Sequence, residues 1–343
     1  MNRLRIYRLA LIGFGNAGKA FARLLEQKSR ELEEEYNARI IVTAIVTGSH
    51  GFMVDENGID LRKALSGDGF STDGHNGNQA LNVIRTSDYD IMCELTPLNI
   101  MTGEPAITHI REAFARGKHV ITANKGPVAW AYKRLKAEAE AKGVEFCHET
   151  TVMDGTPVFN LADYTLRMCR VTGITGILNS TTNYVMEEMA AGKAYDEIIA
   201  EGQRRGFIEA DPAMDIEGYD AAAKLTALVN VLMGADMTPD MIDRKGIEDI
   251  TPEDIKAADA EGKVIKLVCR AKASDNSVYS KDITAQVRPE RVSRKDILAT
   301  ITGTTSVVSI ETDLMGTISV VEHEPEIEQT AYGIFSDMLR IIG

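Results

Sequence analysis

Residues 7–18 read "YRLALIGFGNAG", an apolar run of strand length that leads directly into the spacing G-x-G-x-x-G. This order predicts a buried strand, a tight turn and the start of a helix. Gly13 would permit the turn, Gly15 would let the backbone approach a pyrophosphate, and Gly18 would let the helix pack on the strand. The predicted dinucleotide contacts at this turn are Gly13, Gly15, Asn16, Ala17 and Gly18.

The same letters nearly fit a second phosphate-binding motif. Gly13 to Gly18 followed by Lys19 has the P-loop spacing G-x-x-x-x-G-K. A P-loop next requires a Ser or Thr hydroxyl that binds Mg²⁺, and this chain has Ala20 at that position. The pattern therefore favours a dinucleotide over a nucleoside triphosphate.

Apolar runs and helical segments alternate through the first 150 residues. Strands are predicted at 7–13, 39–46, 89–95, 119–122 and 144–150, and helices over 16–36, 104–118 and 128–143. Continuously apolar strands are typical of a parallel sheet that is covered on both faces. The first part of the chain is therefore predicted to be a Rossmann-type domain.

The pattern changes after residue 150. Helices dominate from 179 to 262, strands are predicted at 262–274, 278–287, 305–312 and 316–321, and a last helix is predicted over 326–342. The predicted fold class is therefore α/β, with a Rossmann-type parallel-sheet domain and a second, α+β domain.

Composition limits the classes of partner. A chain of 343 residues exceeds the usual size of one core, so two domains are expected. The net charge of −13, without a Lys/Arg run, argues against nucleic acid and against an anionic membrane surface. No apolar run reaches membrane-spanning length. Four dispersed cysteines in apolar segments predict reduced thiols in a cytoplasmic protein: Cys93, Cys147, Cys169 and Cys269.

The second predicted strand indicates which cofactor is preferred. It ends in "TGSHGF", residues 47–52, with no acid to bind a ribose diol and no arginine to bind a phosphate. The side chains of Thr47, Ser49 and His50 offer hydrogen bonds to a 2′-phosphate, which mildly favours NADP over NAD. A plain turn with a surface histidine explains the same letters equally well.

Two further loops follow predicted strands. "ELTPLN", residues 94–99, and "TANKGP", residues 122–127, lie where strands of a parallel sheet end, and ligands bind at that edge. Thr96 is therefore a candidate cofactor contact. Lys125, between Asn124 and a Gly-Pro pair, is interpreted as a fixed cation facing the crevice, and the alternative is a solvated loop lysine.

An acid-rich stretch, residues 206–224, contains five carboxylates and ends at Lys224. Asp220 and Lys224 are four residues apart on a predicted helix, within reach of an ion pair. A surface pair would contribute less than about 1 kcal/mol. However, the helix continues as "LTALVNVLMGA", apolar on all sides, so its polar first turns are expected to face a cleft. Glu209 and the other acids, Asp215 among them, would suit a substrate ammonium group.

Six segments resemble the homoserine dehydrogenase family, and the resemblance extends over essentially the whole chain. They are "GFGNAG" (13–18), "GKHVITANKGP" (117–127), "VTGITGILNSTTNYVMEEM" (171–189), "GFIEADPAMDIEGYDAAAKL" (206–225), "GKVIKLV" (262–268) and "TAYGIFSDML" (330–339). The resemblance implies a dinucleotide-binding domain, residues 1–148 with 322–343, and a catalytic, substrate-binding and dimerisation domain, residues 149–321. It also implies the short form of the family, without a C-terminal regulatory domain.

The reaction that the resemblance implies is the reversible NAD(P)H-dependent reduction of L-aspartate 4-semialdehyde to L-homoserine, a step of threonine and methionine biosynthesis. Lys125 and Lys224 match the two active-site lysines, Asp220 the catalytic aspartate and Glu209 the substrate-binding glutamate. Which lysine donates the proton stays open. A homodimer is also implied, as is a Na⁺ or K⁺ site for which the candidates are Glu149, Val152 and Asp154.

Two positions depart from the family pattern. Ser180 replaces the glycine expected in "ILNGTTNY", and "VVEHEPEIEQ", residues 320–329, replaces a glycine-rich loop. Two alternatives therefore remain at this point. One is a related NAD(P)-dependent dehydrogenase of another small amino or oxo acid, and the other is a non-catalytic NAD(P)-binding regulator.

Overall fold

The computed structural model describes residues 4–72, 78–205, 208–209, 211–274 and 282–343. The chain forms two compact units, Met1–Pro157 with Glu326–Gly343, and Val158–Pro325. No helix within the described ranges is long and apolar enough to cross a membrane.

The first unit is built on a six-stranded sheet in the order β3-β2-β1-β4-β5-β6. All neighbours pair in parallel except β3, which is antiparallel to β2. The strands are β1 Arg5–Ile12, β2 Ala38–Val46, β3 Phe52–Val54, β4 Ile91–Glu94, β5 His119–Thr122 and β6 Phe146–Cys147. The helices are α1 Asn16–Gln27, α2 Ser29–Tyr36, α3 Leu61–Ser66, α4 Gln79–Thr86, α5 Ala106–Ala115, α6 Lys125–Lys142 and the C-terminal α13 Ile327–Ile342.

Helices cover both faces of this sheet, as the continuous apolar strands predict. Leu9 and Leu11 of β1 pack with α1 and α13, whereas Ala10 and Ile12 pack with α4, α5 and α6. Successive side chains of a strand point to opposite faces, so a strand covered twice is apolar at every position. The prediction of a parallel, doubly covered sheet is confirmed.

Two predicted elements of this unit differ in the structure. The helix predicted over 16–36 is divided at Lys28 into α1 and α2. The Ser29 hydroxyl donates a hydrogen bond to the Glu26 carbonyl at 2.9 Å, and such local bonds compete with the helical ladder. The strand predicted at 144–150 is reduced to β6, because a 3₁₀ turn, Glu149–Thr151, follows it.

The second unit contains a sheet in the order β12-β11-β7-β9-β10-β8. Its pairs are antiparallel except that of β8 and β10. The strands are β7 Val171–Ile177, β8 Asp243–Arg244, β9 Lys263–Ala273, β10 Ile283–Ser293, β11 Ser306–Thr312 and β12 Gly316–Glu322. The helices are α7 Phe159–Thr165, α8 Ser180–Ala190, α9 Tyr195–Arg205, α10 Ala213–Ile216, α11 Tyr219–Leu232 and α12 Pro252–Ala260.

The sheet and helices of this unit agree with an α+β domain. The strand predicted at 278–287 begins at Ile283, and the start of that prediction lies outside the described residues. The segment 320–329, which replaces a glycine-rich loop of the family, is mostly regular structure. The strand predicted at 316–321 extends to Glu322 as β12, and the helix predicted over 326–342 begins at Ile327 as α13.

Candidate active site

Gly13 and Gly18 shape the turn between β1 and α1. Gly13 has φ +105°, and a Cβ there would lie 2.3 Å from the Leu95 carbonyl oxygen. A Cβ on Gly18 would lie 2.9 Å from the Gly13 carbonyl oxygen. Both positions therefore require glycine, since any side chain would collide with backbone.

Gly15 has a different role. No atom lies within 4 Å of the place where its Cβ would be, and this open side adjoins a cavity of about 520 Å³. Gly15 caps α1 without a side-chain hydrogen bond, and the first turn carries no acidic residue. The backbone N–H groups of this helix start therefore suit an anion. The cavity is lined by residues 13–19 and 47–50 with Ala64, Gly67, Phe70, Leu95 and Pro97.

The turn after β2 also lines this cavity. The backbone N–H of His50 donates to the Thr47 hydroxyl oxygen at 2.7 Å, and the Ser49 hydroxyl lies 2.8 Å from His50 Nδ1. Residues 48–50 are exposed. The segment is therefore a hydrogen-bonded turn that also presents hydroxyl groups to the cavity.

Thr96 lies beside the cavity, and its side chain is directed elsewhere. Its hydroxyl donates a hydrogen bond to Glu94 Oε1, and its carbonyl oxygen accepts one from Asn124 Nδ2 at 3.2 Å. The neighbours Leu95 and Pro97 line the cavity instead. Thr96 thus anchors the loop 95–97 through hydrogen bonds on the side away from the cavity.

Lys125 is the first residue of α6 and is half-buried at the carboxyl end of β5. The Asn124 side chain caps this helix by accepting a hydrogen bond from the Gly126 backbone N–H at 3.0 Å. The cap fixes the backbone on both sides of Lys125. That the Lys125 side chain is a fixed cation stays a prediction.

In the second unit, one asparagine connects two acids of the 206–224 stretch. Nδ2 of Asn179 donates to Asp215 Oδ1 at 2.7 Å and to Asp220 Oδ2 at 3.0 Å. The Thr181 hydroxyl donates to Asp215 Oδ2 at 2.8 Å. Lys224 Nζ lies 3.3 Å from Asp220 Oδ2 and donates to the Leu178 carbonyl at 2.8 Å. Asp215, Asp220 and Lys224 therefore form one hydrogen-bonded polar cluster.

The electrostatics of this cluster are unusual for a surface pair. The side chains of Lys224 and Asp220 are only 20% and 14% exposed. Burial raises the pKa of Asp215, and the negative charge of Asp220 raises it further, against the hydrogen bonds from Asn179 and Thr181 and the charge of Lys224. A cation placed here would stabilise the charged carboxylates.

The remaining acids of the stretch are not brought into this cluster. Glu209 is exposed, and its backbone carbonyl accepts a hydrogen bond from Gln203. Asp211 is also exposed, and its carboxylate accepts from the Ala213 backbone N–H at 3.1 Å. The acid-rich stretch therefore divides into a largely buried pair, Asp215 and Asp220, the half-buried Glu217, and the exposed Glu209 and Asp211.

The cation-site candidates lie in the first unit. Glu149 and Val152 are buried, and Asp154 has φ +44° and accepts a hydrogen bond from the Thr330 hydroxyl at 2.6 Å. Within the part of the chain that the structure describes, no three His, Cys, Asp or Glu residues are grouped to hold a metal ion.

Two contributors were missed from the sequence. Asn179 and Thr181 lie at the start of α8, where Asn179 is the capping residue. A signal was available, because an Asn followed by Ser-Thr-Thr predicts a helix start. Their contacts with Asp215 span 36 and 34 residues and could not be read from spacing.

Comparison with known proteins identifies the family. The homoserine dehydrogenase family profile matches residues 157–339. A homoserine dehydrogenase of Methanocaldococcus jannaschii is 37% identical over 97% of this chain and 98% of its own length. An NAD(+)-dependent homoserine dehydrogenase of Pseudomonas canavaninivorans is 34% identical over 98% of this chain and 96% of its own length.

A solved structure agrees. A homoserine dehydrogenase from Thiobacillus denitrificans has a TM-score of 0.84 and 29% identity, covering 100% of this chain and 74% of its own. Sequence similarity of this length, together with the agreement in fold, shows that the chain belongs to the homoserine dehydrogenase family.

Proposed function

We propose that the protein is a homoserine dehydrogenase that interconverts L-homoserine and L-aspartate 4-semialdehyde with NAD(P). The observation that carries the proposal is the Asp220–Lys224 pair, 3.3 Å apart and largely buried beside Asp215. A fixed ammonium group can stabilise negative charge on a carbonyl oxygen and exchange a proton with it. The nicotinamide ring of the bound cofactor supplies or accepts the hydride.

Lys224 is the residue that we assign to the reacting oxygen. Its Nζ is held between Asp220 and the Leu178 carbonyl, so it has a defined position when the oxygen becomes charged. In the reducing direction Lys224 donates a proton to the alkoxide, and in the oxidising direction it accepts one from the hydroxyl group. Asp220 holds the lysine and stabilises its charged form.

Lys125, Asp215 and Glu209 are assigned to the substrate. The capped turn holds Lys125 as a cation that can bind the substrate carboxylate. Asp215, whose pKa burial raises, would gain from a substrate ammonium group because that cation stabilises its charged form. Glu209 would supply a second carboxylate from the exposed loop.

The first unit is proposed to bind the dinucleotide, and the second to bind the substrate and form dimers. Gly13, Gly15, Asn16, Ala17 and Gly18 would hold the pyrophosphate at the start of α1. Ser49 would contact the adenosine ribose or its 2′-phosphate. Neither an acid nor an arginine lies between Val46 and Phe52, which favours NADP over NAD.

A homodimer in the cytoplasm completes the proposal. Tyr164, Met168, Leu314 and Met315 of the second unit are between 59% and 94% exposed, and we assign these side chains to the dimer contact, because contiguous exposed apolar surface marks such contacts. Mass measurement in solution tests the dimer.

All four cysteines are free, as expected in a reducing compartment. A Na⁺ or K⁺ ion at Glu149, Val152 and Asp154 is tested by the salt dependence of activity.

The decisive experiment is the nicotinamide absorbance of purified protein with L-homoserine and NADP, then NAD. A rise with L-homoserine, and none with 4-hydroxybutyrate, which lacks the ammonium group, is expected. Lys224→Met should abolish the rise while dinucleotide binding remains. Protein that binds dinucleotide and leaves L-homoserine unoxidised would overturn the proposed substrate.

A further inference from the structure

Glu94 is a buried carboxylate at the end of β4 to which the dinucleotide motif assigns no role. The residue is 0% exposed. Its Oε1 accepts a hydrogen bond from the Thr96 hydroxyl and lies 3.4 Å from Nδ1 of the buried His109. Its Oε2 has no hydrogen-bond partner among the described side chains and backbone. Burial of a half-satisfied carboxylate weakens a core, so stability alone does not explain it.

Hydrogen bonds lead from Glu94 to two loops at the carboxyl edge of the sheet. The Thr96 carbonyl oxygen accepts from Asn124 Nδ2 at 3.2 Å, and Asn124 caps α6. The Thr122 hydroxyl donates to the Glu94 carbonyl oxygen at 3.2 Å and accepts from the Asn124 backbone N–H at 3.0 Å. The loop after β4 and the turn that carries Lys125 are therefore joined at Glu94.

The same loop forms one wall of the cavity beside Gly15. Leu95 and Pro97 line the cavity, and the Leu95 carbonyl lies against Gly13, where a Cβ would be 2.3 Å away. Thr96, between these two residues, is turned away from the cavity by its hydrogen bond to Glu94. The Thr96 hydroxyl bond therefore helps to hold the wall, together with the Leu95 backbone N–H, which donates to the Ile12 carbonyl at 2.7 Å, and the Asn124 bond to the Thr96 carbonyl.

We propose that Glu94, braced by His109, is a positioning residue that fixes the Leu95–Pro97 wall of the dinucleotide cavity through the Thr96 hydroxyl. The inference rests on the proposed use of a dinucleotide by this unit. It assigns a role to two buried polar side chains of β4 and α5 that themselves do not line the cavity.

Dinucleotide binding to the full-length protein, followed by protein fluorescence, tests the proposal without reference to turnover. Glu94→Leu removes the acceptor and should raise the Kd for NADPH about five- to tenfold, the effect of one hydrogen bond. Glu94→Gln keeps an acceptor for Thr96 and should preserve most of the affinity. His109→Leu should raise the Kd in the same direction as Glu94→Leu. In each variant, kcat at saturating dinucleotide should fall less than the Kd rises.

A double-mutant cycle tests whether Glu94 acts on the cavity wall through the Thr96 hydroxyl. Thr96→Val should raise the Kd as Glu94→Leu does, and the double variant should show no further rise, because both changes remove the same bond. Tyr89→Phe is the control. Tyr89 is fully buried just before β4, and its hydroxyl donates a hydrogen bond to the Ile84 carbonyl at 3.0 Å, which the change removes. It should leave the Kd unchanged.

Two results would overturn the proposal. One is an unchanged Kd in folded Glu94→Leu, and the other is additive effects of the two changes. If Glu94→Leu does not fold, Glu94→Gln and Thr96→Val carry the test, and equal affinity in wild type and Thr96→Val overturns it. Failure of wild-type protein to oxidise L-homoserine, with NADPH still bound, would concern the proposed reaction alone.

Discussion

The Asp337 carboxylate accepts a hydrogen bond from the backbone N–H of Glu149 at 3.0 Å, across 188 residues of sequence. One turn earlier in α13, the backbone of Gly333 packs so closely that a Cβ there would lie 2.8 Å from the Gly155 Cα. The Thr330 hydroxyl donates to Asp154 at 2.6 Å. The C-terminal helix is thereby joined to both ends of the segment 149–155.

Asp337→Leu should lower the free energy of unfolding by about 1–3 kcal/mol, because it leaves a buried backbone N–H without its acceptor. Asp337→Asn keeps an acceptor oxygen and should lower it less. Urea unfolding followed by circular dichroism measures both. Equal stability of the leucine variant and wild type would show that the Glu149 bond contributes nothing.

The two kinds of glycine in the β1–α1 turn should separate stability from binding. Gly13→Ala should destabilise the first unit, because φ is +105° and the Leu95 carbonyl leaves no room. Gly15→Ala places its methyl group in open space and should keep the melting temperature while weakening NADPH binding about tenfold. Thermal melts and binding titrations on the same preparations make the comparison. A lower melting temperature with unchanged NADPH affinity in Gly15→Ala would contradict the assignment of Gly15 to the cofactor site.

Replacing Asp215 should raise stability at neutral pH and lower activity. Burial raises its pKa above the ordinary 3.8, so the folded state holds the proton more tightly than the unfolded state. Its contribution to stability is full below 3.8 and is lost as pH rises through the raised pKa. Asp215→Asn should therefore be more stable than wild type at neutral pH, with the difference vanishing in acid.

The same change should lower kcat/KM for L-homoserine about tenfold or more, because the substrate ammonium loses a charged partner. Unfolding curves from acid to neutral pH and initial rates at neutral pH test both parts. A variant less stable than wild type at neutral pH would contradict the pKa argument.

Lys266 is a buried lysine that should be essential to the second unit. Its Nζ donates to Asn183 Oδ1 and the Ile301 carbonyl at 2.6 Å and lies 3.0 Å from Glu187 Oε1. Lys266→Met leaves these acceptors without their donor and should cost about 3–5 kcal/mol of unfolding free energy. Lys256→Met, an exposed lysine on α12, is the matched control and should change it little. Similar losses in both variants would contradict the assignment.

Local geometry explains what the sequence predicted well. The turn at Gly13 is visible in the sequence because a positive φ between a strand and a helix favours glycine. The Asp220–Lys224 pair is visible because helical spacing places residues four apart on one face. Both depend on neighbours in sequence, which a pattern records.

Contacts between distant segments explain what was missed. Asn179 reaches Asp220 from 41 residues away, and nothing in either local pattern specifies that approach. The direction of the Thr96 hydroxyl, which bonds to Glu94, is also not specified by the pattern, because a loop residue can present its side chain to either side. Contact of Thr96 with the cofactor stays a prediction. The exposure of Glu209 likewise depends on how a loop packs, which its charge does not determine.

The return of α13 to the first unit has a consequence for synthesis on the ribosome. Residues 1–157 emerge first, yet one face of their sheet is completed by Ile334 and Met338, which emerge only after the whole second unit. Until then Leu9 and Leu11 lack part of their cover, so the nascent amino-terminal segment exposes apolar surface of the kind that binds chaperones. The second unit, continuous from Val158 to Pro325, can finish folding before the first.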